Sequence, residues 1–207
     1  MLMKIIGLTG SIAAGKSTIV GWINELGIPS HDSDCSVHEL LGPGGGAVKD
    51  VLEEFGSHFG TISGGINRRL LGDEVFAATQ KRLTLESILH PMIRQHRDAF
   101  IAQQREAKAA AIVLDVPLLF ETGLEAMCDH VIVVHASAKT IVKRALARPG
   151  MTKEKLDSIL VSQMSSDDKK ARADLTLDSD LQKDQTRDEL TNWLSAIGLS
   201  IVRNEMD

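Results

Sequence analysis

The sequence predicts an α/β fold, a doubly wound parallel sheet in three layers with helices on both faces. Two observations carry this reading. Short apolar runs of the kind found in buried strands recur along the chain, and longer stretches with helical apolar spacing separate them. Strands that alternate with helices pair in parallel, because each return crossover needs a helix to carry the chain back.

The first run, Met3 to Leu8, reads as a strand buried on both faces. A tight Gly-bearing turn follows. Ile19, Ile23 and Leu26 then recur at helical spacing, and Gly27 is placed to end that helix. Ile28 to His31 is a second strand-like segment leading into Asp32-Ser33-Asp34. Val37, Leu40 and Leu41 share one face of a brief helix that closes on Gly42-Pro43-Gly44-Gly45-Gly46. No strand feeds that Gly-rich run, so it reads as a flexible hinge rather than a second phosphate loop.

From Ala47 to about Ala109 the pattern is mostly helical, with turns between Gly56 and Gly65. Leu85, Ile88 and Leu89 are spaced for a core, and Pro91 is expected to restart the helix. Ala111 to Val116 and Val131 to Val134 are two further buried strands. Residues 143–172 are helical and basic, with eight basic residues against four acidic ones, a net +4. Leu190, Trp193, Leu194 and Ile197 mark a final amphipathic helix that Gly198 ends.

Composition sets bounds on function. At 207 residues, 43% hydrophobic and 25% charged, the chain can bury a core without disulfides. A net charge of −5, aromatics at 3% and no Tyr argue against a nucleic-acid partner. Cys35 and Cys128 lie far apart with no metal spacing, which fits two thiols in a reducing compartment. No run approaches the ~18 apolar residues of a membrane span, and Met3 to Leu8 follows the first Met almost directly. The expectation is a cytoplasmic protein with no membrane partner.

The strongest motif is Gly10-Ser11-Ile12-Ala13-Ala14-Gly15-Lys16-Ser17, a full G-x-x-x-x-G-K-[ST], followed by Thr18. A random chain of this length shows it about 1% of the time, and here it also sits between a strand and a helix. Glycines let successive N–H groups converge on anionic oxygens, and the helix that follows adds its positive end. Lys16 is placed to reach the β- and γ-phosphates of ATP, and the Ser17 hydroxyl to bind Mg2+. The guanine-reading N-K-x-D is absent, which argues against a GTP switch.

Phosphoryl transfer also needs an acceptor side. Asp34 stands just past the second strand-like segment, at the sheet edge where open α/β folds bind ligands. It reads equally as a base for an acceptor hydroxyl or as an N-cap of the next helix, with Asp32 the more structural of the two. Asp115 ends its apolar run either as a magnesium carboxylate or as a strand-end turn residue. Arg68 and Arg69 are an acceptor-phosphate clamp or a solvated helix start. Arg144 and Arg148, one helical turn apart, either close over ATP or form a solvated basic face. The histidines show no metal spacing.

Together these residues resemble the dephospho-CoA kinase family over nearly the whole chain. The resemblance lies in Gly7-Leu8-Thr9-Gly10 before the phosphate loop, Asp32-Ser33-Asp34, Phe55-Gly56, Asn67-Arg68-Arg69-x-Leu71 and Leu89-His90-Pro91. It continues through Pro117-Leu118-Leu119-Phe120-Glu121, Arg144-x-x-x-Arg148, Gln163 and Ala173-Asp174. The Pro117–Glu121 and His90-Pro91 pieces are the most specific, since a general phosphate-loop enzyme does not need them. The chain departs from the family pattern at Ile141, Ser179 and Ser11.

The resemblance implies that ATP phosphorylates the ribose 3′-hydroxyl of dephospho-CoA; a kinase of another nucleoside or nucleotide is the alternative, and a regulatory ATP-binding module is a third. It implies a P-loop NTPase-type, nucleoside-monophosphate-kinase-like architecture in a single kinase domain. The core would be residues 1–33, 109–142 and 175–207, with a helical substrate-binding insertion at 34–108 and a helical lid at 143–174. It favours Asp34 as the base, with Lys16 and Arg144 beside it in catalysis, and Arg148 on the nucleotide. Arg68, His90, Pro117, Leu118, Leu119 and Glu121 would then meet the acceptor, and Ser17 and Asp115 would hold the metal.

Overall fold

A computed structural model describes residues 2–76 and 78–200. The chain forms two compact units, one built from residues up to His31 and from Gln104 onward, the other from Asp32–Gln103.

The first unit is organised by five strands: β1 (Lys4–Gly10), β2 (Ser30–Asp32), β3 (Ala111–Asp115), β4 (His130–His135) and β5 (Leu175–Asp178). Their order is β2-β3-β1-β4-β5, and β1 pairs in parallel with β3 and β4, as β4 does with β5. This is the parallel α/β sheet that the alternation of apolar runs predicts. Helix α1 (Lys16–Glu25) packs Ile19 and Ile23 onto Ile6, Leu8, Val113 and Ile132 of the sheet. Helix α9 (Lys183–Ala196) adds Leu190 and Leu194 to the same core. Between β4 and β5 run α6 (Ala138–Leu146), α7 (Lys153–Ser162) and the short α8 (Ser166–Ala171).

The second unit is helical: α2 (Ser33–Leu40), α3 (Val48–Phe55), α4 (Arg68–Phe76) and α5 (Thr79–Glu106), the last carrying the chain back to the first unit. Its own core contains Leu40, Leu41, Val51, Phe59, Ile66, Leu71 and Leu89.

Three details differ from the sequence reading. Pro91 does not restart a helix, because α5 runs unbroken for 28 residues through it. Ser87, four residues back, and Pro91 are both exposed, so the carbonyl that loses its partner can be hydrated. The Gly42–Gly46 run is a packed turn rather than a loose hinge. Gly45 donates to Gly42 O at 2.9 Å and Ala47 to Leu40 O at 3.1 Å, while a Cβ on Gly45 would lie 2.2 Å from Leu40 O. Strand β5 has no counterpart among the predicted strands. It spans four residues and buries only Leu175 and Leu177, too few for a period-2 signal.

Candidate active site

The phosphate loop is set by the sheet. β1 ends at Gly10, where a Cβ would come within 2.3 Å of Val134 O, so only glycine lets β1 and β4 approach there. Gly15 stands at the N-cap of α1 with φ of 100°, a left-handed conformation that glycine adopts without strain. Ala13 also has a positive φ, 59°, which is uncommon for a residue with a side chain. It is buried in a small cluster with Ala145 of α6 and Leu156 of α7, joined by Ile12, Met151 and Leu160. The apolar loop residues thus serve packing as well as small size.

Lys16 opens α1, and its ammonium forms an ion pair with the Asp115 carboxylate, both side chains being largely buried at 17% and 7% exposed. Parallel pairing explains the meeting. Leu8 faces Asp115 across β1 and β3, so the last residue of β3 arrives beside the loop that follows β1. Ser17 and Thr18 are exposed on the first turn of α1.

Arg144, in the last turn of α6, is held against the loop. Its guanidinium donates to Ser179 Oγ at 2.8 Å and to Ser179 O at 3.0 Å. A Cβ on Gly15 would lie 3.2 Å from Ser179 Cβ and 3.5 Å from the Arg144 guanidinium. The departure to Ser179 therefore supplies an acceptor for Arg144. The departure to Ile141 is accommodated by burial within α6. Arg148 does not share a helix face with Arg144, because α6 ends at Leu146 ahead of Pro149-Gly150. The start of α6 is fixed by Ser137, which caps Thr140 N–H and whose own N–H donates to Asp180 at 2.8 Å. The Ser137 hydroxyl and N–H, then Thr140 and Arg144, bring the Asp180 pKa down to about 2.

Pro117 to Glu121 follow β3. Leu119 is buried and Leu118 exposed. Pro117 O accepts from the buried Thr9 hydroxyl at 3.0 Å. The Glu121 carboxylate is engaged within the unit, accepting from Met164 N–H at 2.6 Å and pairing with Lys169 at 3.0 Å. Burial works against its ionisation, but Met164 N–H, its own N–H and the Lys169 ammonium outweigh that and keep its pKa below the ordinary value.

In the second unit, Asp32 is the N-cap of α2, accepting from Asp34 N–H at 2.8 Å and Cys35 N–H at 3.2 Å. The capping task that Asp34 shared on the sequence alone thus falls to Asp32, and the Asp34 side chain is exposed in the first turn. Arg68 and Arg69 begin α4, whose Leu70 N–H is capped by Asn67 at 3.2 Å, and both are exposed. His90 is exposed within α5. Neither Cys35 nor Cys128 is in a disulfide.

Two contacts escape sequence reasoning, although the resemblance includes Gln163. Lys169, one of the eight basic residues counted in 143–172, is fully buried. Gln163 accepts from the phosphate-loop N–H of Ile12 at 3.1 Å. Neither contact has a local signature, since each joins positions far apart in the chain.

A family model for dephospho-CoA kinase matches residues 4–185. A curated relative named dephospho-CoA kinase from Paramagnetospirillum magneticum is 45% identical over 169 residues, 81% of this chain and 78% of that protein. One of the same name from Brucella melitensis is 39% identical over 196 residues, covering 94% and 96%. Among solved structures, TT1252 from Thermus thermophilus matches with a TM-score of 0.78 at 26% identity, over 97% of this chain and 100% of that one. Dephospho-CoA kinase from Campylobacter jejuni matches with a TM-score of 0.70 at 25% identity, over 95% and 98%.

Proposed function

The chain belongs to the dephospho-CoA kinase family, and on that premise we propose how its own side chains divide the work of transfer. The reaction is the ATP-dependent phosphorylation of the ribose 3′-hydroxyl of dephospho-CoA, giving coenzyme A and ADP, the last step of coenzyme A synthesis. The observation that carries the division of labour is the loop at residues 10–18, seated at the end of β1 with Lys16, Asp115 and Arg144 gathered around it.

Main-chain N–H groups of the loop from Gly10 to Thr18, apart from that of Ile12, which Gln163 holds, bind the phosphates, aided by the N-terminus of α1. Lys16 exchanges Asp115 for the β- and γ-phosphates when ATP arrives. Arg144 offsets charge on the transferring group, and Arg148 adds a second cation on the nucleotide. Ser17 and Asp115 supply a hydroxyl and a carboxylate, hard oxygen ligands of the kind Mg2+ takes alongside water and phosphate oxygens. Bound there, the metal would neutralise phosphate charge.

Asp34 accepts the proton of the 3′-hydroxyl. The freed oxygen bonds to the γ-phosphorus as the bond to the ADP oxygen breaks. Arg68 and His90 contact the acceptor, with Pro117, Leu118 and Leu119 along its side, and Glu121 serves by holding that segment. Among the described residues no helix is long and apolar enough to cross a membrane; we place the enzyme in the cytoplasm, where its nucleotide substrates are.

Mass spectrometry of a mixture of protein, ATP, Mg2+ and dephospho-CoA tests the reading. One added phosphoryl group on dephospho-CoA is expected. Transfer to another nucleoside in a parallel reaction, with dephospho-CoA unmodified, would overturn it.

A further inference from the structure

An ion pair whose lysine is fully buried underlies the segment joining α7 to α8. Lys169 has no exposed surface, lies 3.0 Å from Glu121 Oε1 and donates to Pro117 O at 3.3 Å. The same Glu121 oxygen takes Met164 N–H at 2.6 Å, and Pro117 O also accepts from Thr9 in β1. Immediately before Met164, the Gln163 carboxamide oxygen accepts from Ile12 N–H at 3.1 Å. One connected set of contacts therefore leaves the sheet at Thr9 and returns to the loop that β1 feeds.

Two features say what this set does. A buried ammonium is costly to desolvate, and an apolar side chain would fill the same space at less cost, so the pair is better explained by geometry than by stability. The loop, meanwhile, needs outside support. Ala13 follows Ile12 in a left-handed conformation that a side chain disfavours, and such strain persists only where the surroundings enforce it. Gln163 holds the amide just before that residue. The Ala145 and Leu156 contacts cover Ala13 itself.

We propose that the Lys169–Glu121 pair is a positioning device for nucleotide binding: by fixing Met164 it seats the Gln163 carboxamide on Ile12 N–H and holds the phosphate loop in its binding shape. This rests on the reading of residues 10–18 as the nucleotide loop, and it makes Gln163 and Lys169 positioning residues that act through that loop.

The test is equilibrium binding of ADP with Mg2+ to the full chain, together with steady-state transfer kinetics. Gln163→Leu removes the acceptor while keeping side-chain bulk. It is expected to raise the ADP Kd and the ATP KM about tenfold, the size of one lost hydrogen bond, with kcat and the dephospho-CoA KM changing far less. The paired replacement Glu121→Leu with Lys169→Met removes both charges together, so no lone buried ion is left to unfold the chain. It is expected to weaken ADP binding to a similar degree, and to add less than about twofold in the Gln163→Leu background, because both changes act through one contact.

Wild-type-like ADP binding by Gln163→Leu overturns the proposal. So do losses that multiply in the combined variant. A wild-type chain that fails to bind ADP removes the nucleotide reading instead, which keeps the two failures distinct.

Discussion

The side chains proposed to act in the two units are held in opposite ways. In the first, charged groups around the phosphate loop are engaged before any substrate arrives: Lys16 with Asp115, Arg144 with Ser179, Glu121 with Lys169. In the second, Asp34, Arg68 and His90 stand exposed on three different helices. The difference follows from what surrounds them. The loop grows from the middle strand of a five-stranded parallel sheet, where neighbouring strand ends deliver partners by register. The second unit has a small helical core, and these three side chains lie at exposed helix positions outside it. On the proposed reading, one region carries preorganised electrostatics, while Asp34, Arg68 and His90 in the other take their partners from the acceptor.

That contrast predicts a graded set of effects. The largest belongs to Lys16→Ala, which is expected to lower kcat/KM roughly a thousandfold by removing the cation on the transferring phosphate. A loss under tenfold in transfer assays would mean that the loop is not the catalytic centre. Asp34→Asn comes next, with kcat down by about two orders of magnitude and ADP affinity unchanged within about twofold. Calorimetry beside the kinetics checks this split, and a parallel fall in ADP affinity would break the division between the two units. Arg68→Ala is smaller, raising the KM for dephospho-CoA about tenfold. Because this arginine is exposed, the wild-type KM should climb with ionic strength, and a KM indifferent to salt would place the acceptor's phosphates elsewhere.

The smallest effect is on stability. The Asp180 pKa falls from the ordinary 3.8 to about 2 in the folded chain. A depressed carboxylate stabilises the fold fully above its unfolded value and loses that contribution as pH falls through the folded one. The Tm difference between wild type and Asp180→Asn should therefore hold near neutrality and vanish between pH 3.8 and about 2. A difference that persists at the acid end of that window would show that the carboxylate's charge does not support the start of α6.

The elements were legible in the sequence where a local pattern is strong. Four of the five strands, the loop between β1 and α1, and the helix around Leu190 and Leu194 follow from apolar runs and helical spacing. Strand β5 did not, because four residues carry too little periodicity. The unbroken α5 did not either, since a helix can run on through a proline where the carbonyl that loses its partner is exposed to water, as at Ser87. Arg144 and Arg148 looked like one face until the Pro149-Gly150 turn placed the helix end between them.

The same boundary runs through the site. Sequence by itself determined the phosphate loop and the identity of its lysine and hydroxyl, because that chemistry depends on neighbours in the chain: glycines that free the backbone, then a helix that begins at once. It also determined that Asp32 and Asp34 open a helix, while leaving open which of them caps it. The structure decided that Asp32 is the cap, through local contacts two and three residues along the chain. Only the tertiary structure decided that Ser179 receives Arg144, and that a lysine among the basic residues of 143–172 is buried against Glu121. Those outcomes depend on which strand ends and helix starts come to rest within hydrogen-bonding distance. Residues separated by 35 to 151 positions meet there through strand order and register, and no local periodicity encodes that meeting.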